Sequence, residues 1–103
     1  PASGTHKSLI PPRPIVYVDV NEDVESVTVS ERVTQATLTL NTPITAPKTL
    51  IIDSDNRRVT DTDGEEYTGR LSLNSEFFTL QRRYDFTASE GATVRMIILR
   101  EAR

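Results

Sequence analysis

From Ile15 onward, apolar and polar residues alternate with a period of two, the spacing that sends successive side chains to opposite faces of a strand. Ile15, Tyr17 and Asp19 fall on one face and Val16, Val18 and Val20 on the other, which predicts a strand over 15–20. Asn21-Glu22-Asp23 reads as a turn; Val27 and Val29 continue in a second strand that ends near Ser30, with Glu31-Arg32 as the next turn. Over 33–40, Ala36, Leu38 and Leu40 oppose Thr37 and Thr39, the alternation of a sheet with one wet side. Val33 falls out of that register, and a bulge near Gln35 or a later strand start would explain it.

Pro43 and Pro47 forbid a central strand over 41–48 and predict a crossing connection between two sheets. Leu50-Ile51-Ile52 resumes a buried strand. The short run Arg58-Val59-Thr60 lies between polar turn clusters at 53–57 and 61–66. Tyr67, Gly69, Leu71 and Leu73 alternate again ahead of an Asn74-Ser75 turn. Phe77, Phe78 and Leu80 begin the next strand, and Tyr84 with Phe86 forms a further one or its continuation. Ser89-Glu90-Gly91 then leads into a last strand over 93–100. About seven or eight short strands at roughly 8–12-residue intervals, with no helical window, predict an all-β fold: a single antiparallel β-sandwich or jelly-roll-like barrel.

Residues 1–14 break the pattern. They hold four of the six prolines and no periodicity, so they are expected to form an extended Pro-rich arm ahead of a sandwich domain over 15–103. Ordering fourteen backbone residues costs roughly 14–28 kcal/mol, whereas burying Leu9 and Ile10 contributes only about 1.5–3 kcal/mol each. If the arm is ordered, a partner surface or the protein's own sheet edge has to supply the difference. Leu9, Ile10, Pro11, Pro12, Arg13 and Pro14 are therefore the first candidates for partner binding.

Composition narrows the functions. At 103 residues, 36% hydrophobic and 26% charged, the chain is sized and balanced for one globular core. It has no Cys, which removes a disulfide framework and thiolate-bound zinc. The longest apolar runs, such as Met96-Ile97-Ile98-Leu99, are far shorter than the ~20 residues of a membrane-spanning helix, and no signal-peptide pattern is visible. A net charge of −3 argues against nucleic acid as a partner, because neutralising phosphates needs a basic surface. Ten of the twelve basic residues are Arg, a bias that suits bidentate pairing at interfaces and equally fits codon bias.

Catalytic chemistry has little to draw on. His6, the single histidine, lies in the arm, and no spacing selects a carboxylate pair from Asp19, Glu76 and Asp85, so no enzyme and no cofactor are expected. Asp53, Asp55, Asp61 and Asp63 crowd two neighbouring turns and are weak candidates for Ca²⁺. Their spacing does not fit an EF-hand, and the side chains of Asp and Asn stabilise turns by themselves. In the group Phe77, Phe78, Arg82, Arg83, Tyr84 and Phe86, parity assigns Phe78, Leu80, Tyr84 and Phe86 to the core. Phe77 and Arg83 are left as surface anchors for a partner or a sugar.

The segment Leu9-Ile10-Pro11-Pro12-Arg13-Pro14 ahead of a Cys-free, Thr/Val-rich β body opening Ile15-Val16-Tyr17-Val18 resembles small accessory proteins of tailed-bacteriophage virions. The resemblance implies a non-enzymatic structural subunit, for head decoration, cementing or the tail, that sits on a larger capsid or tail protein lattice, commonly as a homo-oligomer. Its location would be the virion, assembled in the host cytoplasm, or the cytoplasm if the chain is not viral. The competing expectation is a ligand- or carbohydrate-binding β module.

Overall fold

The computed structural model describes residues 3–5 and 12–99. Eight strands follow one another along the chain: β1 (Ser3–Thr5), β2 (Ile15–Val20), β3 (Val27–Glu31), β4 (Ala36–Leu40), β5 (Lys48–Asp53), β6 (Arg58–Asp61), β7 (Arg83–Ala88) and β8 (Ala92–Ile98). They build two four-stranded antiparallel sheets, ordered β1-β7-β3-β4 and β6-β5-β2-β8. The fold is all-β, as the alternation predicts.

Each sheet presents its apolar parity inward. Val16, Val18 and Val20 of β2 meet Val27 and Val29 of β3, Leu38 and Leu40 of β4, Leu50 and Ile52 of β5, Val59 of β6, Phe86 of β7 and Val94 of β8 in one core. Cross-strand register stacks like against like: Val29 opposite Leu38, Val18 opposite Leu50 and Ile52 opposite Val59. The Phe78 and Phe86 rings meet edge to face, centroids 4.9 Å apart. Two hairpins, β3–β4 and β5–β6, stay within a sheet, and every other link between β2 and β8 crosses from one sheet to the other. The β4–β5 crossing is the Pro43–Pro47 segment, which buries Ile44 and contains a cis Ala46–Pro47 bond.

Of the two explanations for Val33 the later strand start holds, and two further stretches differ from the sequence reading. Val33 sits in a four-residue turn, half exposed, and β4 starts only at Ala36, after Gln35 has taken φ 64°. The bulge is elsewhere, where β8 shifts register against β2 between Tyr17 and Val18. Residues 67–73 form no strand but an irregular run with a 3-10 turn at Thr68–Arg70, because their backbone bonds go to two different strands instead of one neighbour. Leu73 consequently projects fully into solvent. Residues 77–82 are likewise outside any strand, although Phe78 and Leu80 are buried as their parity requires.

Candidate interaction surface

A sheet edge carries a row of backbone donors and acceptors that must be covered, charged or used. In the first sheet, β4 is covered: Asn41 donates to the Arg70 carbonyl, and Ser72 and Glu76 donate to the carbonyls of Thr39 and Thr37. Ser75 adds a hydroxyl that accepts from Thr39 N–H at 2.9 Å. In the second sheet, β6 is covered by 65–68, with Tyr67 donating to the Val59 carbonyl and the Thr68 hydroxyl accepting from Val59 N–H. The edge of β7 is taken by β1. Two edges then have no neighbouring strand among the described residues: the outer side of the three-residue β1, and the side of β8 away from β2.

The face beside the β8 edge is apolar. Register places Ile98 next to Ile15, and Met96 next to Tyr17, which in turn pairs with Ile51. Met96 and Ile98 are each 38% exposed, Tyr17 and Ile51 are half-buried, and Ile15 is buried beside them. Arg95, the residue extruded at the bulge, ion-pairs Asp19 at 2.9 Å and reaches over the Tyr17 ring. The alternation of β2 places Ile15 and Tyr17 on the wet face, but the sequence reading did not single out Met96 or Ile98. The signal that could have found them is the unbroken run Met96-Ile97-Ile98-Leu99, since a strand with one wet side should alternate.

Residues proposed from sequence scatter over other surfaces. Pro12 and Pro14 are buried on the body, their carbonyls accepting from Leu80 N–H and Ser54 N–H, both at 3.0 Å, while Arg13 between them is exposed. Leu9, Ile10, Pro11 and His6 lie outside the described residues. Phe77 packs partly against the core and lines a cleft of about 250 Å³ with Thr34, Ala36, Glu76, Thr79 and Gln81. Arg83 is exposed on β7, paired in register with Thr5, and does not line that cleft. Several arginines are held within the chain at exposed ion pairs: Arg32 to Asp85, Arg58 to Glu66 and Arg70 to Glu65.

The acidic turns are engaged in turn chemistry. Asp53 accepts from the backbone of Asp55 and Asn56 and from the Asn56 amide. Asp61 is buried and accepts from the N–H groups of Asp63 and Glu65, the Tyr67 hydroxyl and Lys48 Nζ. Burial pushes its carboxyl up, and these donors outweigh burial, so its pKa lies below the ordinary value. Among the described residues, no three side chains of the kinds that ligate metals come together.

The family model described as Siphovirus-type tail component, C-terminal domain, matches residues 8–97. The chain belongs to this family. It is accordingly a structural protein of a tailed-phage virion, associated with the tail, where it works against other phage structural proteins. No curated protein and no solved structure matches the tail component. No described helix is long and apolar enough to cross a membrane.

Proposed function

We propose that this tail component is a docking domain that binds a larger tail protein through its N-terminal arm and its sheet edges, as one of several copies in the assembly. The observation that carries the reading is the β8 edge, which has no strand beside it among the described residues and lies next to the exposed Met96 and Ile98, while the edges of β4, β6 and β7 are covered. Strand addition at such an edge supplies backbone hydrogen bonds, and the apolar face beside it supplies burial. In this reading residues 1–14 are the arm and 15–103 the body. Pro12 and Pro14, buried on the body, anchor the arm, and Leu9, Ile10, Pro11 and Arg13 reach the partner, with Phe77 and Arg83 flanking the contact. Neither decoration of a head nor catalysis is needed.

The test is truncation. Removing 1–11 takes β1 off the β7 edge but leaves Pro12 and Pro14 in place, so the body should keep a β-type circular-dichroism spectrum and a cooperative melt while co-sedimentation with tail particles is lost. Undiminished co-sedimentation would remove the arm from the interface.

A second reading, a carbohydrate- or ligand-binding module, is favoured by the cleft beside Phe77. An aromatic edge with Glu76, Thr79 and Gln81 offers stacking and hydrogen bonding to a polyol. Glycan-array binding that disappears in Phe77→Ala would support it, and a blank array would reject it.

A further inference from the structure

We infer that the docking surface continues from the β8 edge over one end of the sandwich as an arginine cluster, Arg13, Arg57, Arg82 and Arg83, that grips carboxylates on a neighbouring structural protein. The inference rests on the docking role proposed above and supplies the chemistry of the partner. Five of the described basic residues are engaged in ion pairs within the chain: Arg32, Lys48, Arg58, Arg70 and Arg95. The other four are exposed and have no ion pair among the described residues.

All four lie at the same end of the molecule. The Pro12 carbonyl accepts from Leu80 N–H and the Pro14 carbonyl from Ser54 N–H, both at 3.0 Å, and Phe78 N–H donates to the Ser54 hydroxyl at 3.2 Å. These bonds gather three segments: the one holding Arg13, the β5–β6 turn holding Arg57, and the run into β7 holding Arg82 and Arg83. The apolar strip finishes here too. Ile98 of β8 pairs in register with Ile15, two residues past Arg13, and Ile15 pairs with Asp53 at the start of the Arg57 turn. A partner strand laid along β8 beside Met96 and Ile98 therefore leads towards the arginines.

The backbone beneath them is held in place. Arg13 stands between two buried prolines, and Arg57, at φ 55°, belongs to a turn in which Asp53 accepts from the N–H groups of Asp55 and Asn56. Such preorganisation lowers the ordering cost of each contact that forms. A planar guanidinium takes a carboxylate through two parallel hydrogen bonds, and a cluster is needed because one exposed pair alone contributes little. Phosphate would satisfy the same groups, but a net charge of −3 repels a long polyanion, whereas tail structural proteins offer local acidic surfaces.

The test replaces all four in the full-length protein: Arg13→Gln, Arg82→Gln and Arg83→Gln, with Arg57→Asn because Asn tolerates a positive φ. No ion pair is lost from the body, so the melting temperature should hold. Co-sedimentation with tail particles should weaken at least about tenfold and lose most of its salt dependence. Tails whose carboxylates have been amidated with carbodiimide and glycinamide should bind the wild type as weakly as untreated tails bind the variant. Undiminished binding by the variant, or of the wild type to amidated tails, would overturn the inference. So would retention of duplex DNA by the wild type and not by the variant, which would assign the arginines to phosphate. If the four substitutions leave binding intact while Met96→Lys or removal of 1–11 abolishes it, the docking role stands without the arginine cluster.

Discussion

Glu31 ends β3 with no solvent exposure, an unusual place for a carboxylate. Its two oxygens accept from the N–H groups of Val33, Thr34 and Asp85 and from the Thr34 hydroxyl, joining the 32–35 turn to β7. Burial raises the carboxyl and the four donors more than offset it, leaving its pKa below 4.5. A depressed carboxylate stabilises the fold above its ordinary value and loses that contribution as pH falls through its folded-state value. Melting temperature should therefore be level near neutrality and begin to drop once the pH passes below 4.5, with Asp61 adding to the loss below 3.8. Glu31→Gln would set an amide N–H₂ against backbone donors whichever way it is turned. It should cost about 2–3 kcal/mol at pH 7 and flatten the upper part of the acid limb, both readable from thermal melts across pH.

Among the elements, the turn that delivers β8 to its sheet depends on Gly91. This residue takes φ +87°, and a Cβ there would lie 2.7 Å from Cγ1 of Val24. Its carbonyl accepts from Asn21 and Glu22, tying the start of β8 to the end of β2. Gly91→Ala should destabilise by about 2–3 kcal/mol, seen as a lower urea midpoint at unchanged slope. The other end of β8 answers to different rules. Met96→Lys and Ile98→Lys alter partly exposed side chains outside the core, so stability should fall by no more than about 1 kcal/mol. Binding to tails, measured by co-sedimentation, should weaken at least about tenfold if this edge docks, since about 1.4 kcal/mol of lost apolar contact suffices for that factor.

At the scale of the whole molecule, the two sheets are held by a single core whose largest fully buried side chains are Phe78 and Phe86. Phe78 belongs to no strand. It is delivered by the irregular run between β6 and β7, and its N–H donates to the buried Ser54 hydroxyl. A domain of this size has a stability of roughly 5–15 kcal/mol, and Phe78→Ala should remove about 3–5 kcal/mol of it. Calorimetry should then show one cooperative transition lowered by more than about 10 °C, because the cavity opens where both sheets share the ring.

Local pattern determined the β class, the positions of β2 to β6 and most inward-facing residues, because period-two alternation survives wherever one face is wet. It also determined the crossing at Pro43 and Pro47, since proline cannot supply ladder bonds. Tertiary structure alone decided the strand order, and with it which edges are covered. The covering segments, 65–68 and 70–76, are polar and irregular, and their bonds reach residues distant in sequence, such as Thr39 and Val59. For the same reason the alternation at 67–73 predicted a strand that does not form. The buried roles of Pro12 and Pro14 depend on carbonyl partners at Leu80 and Ser54, which composition does not reveal. An open edge is a property of neighbours, and neighbours are set only once the sheets have assembled.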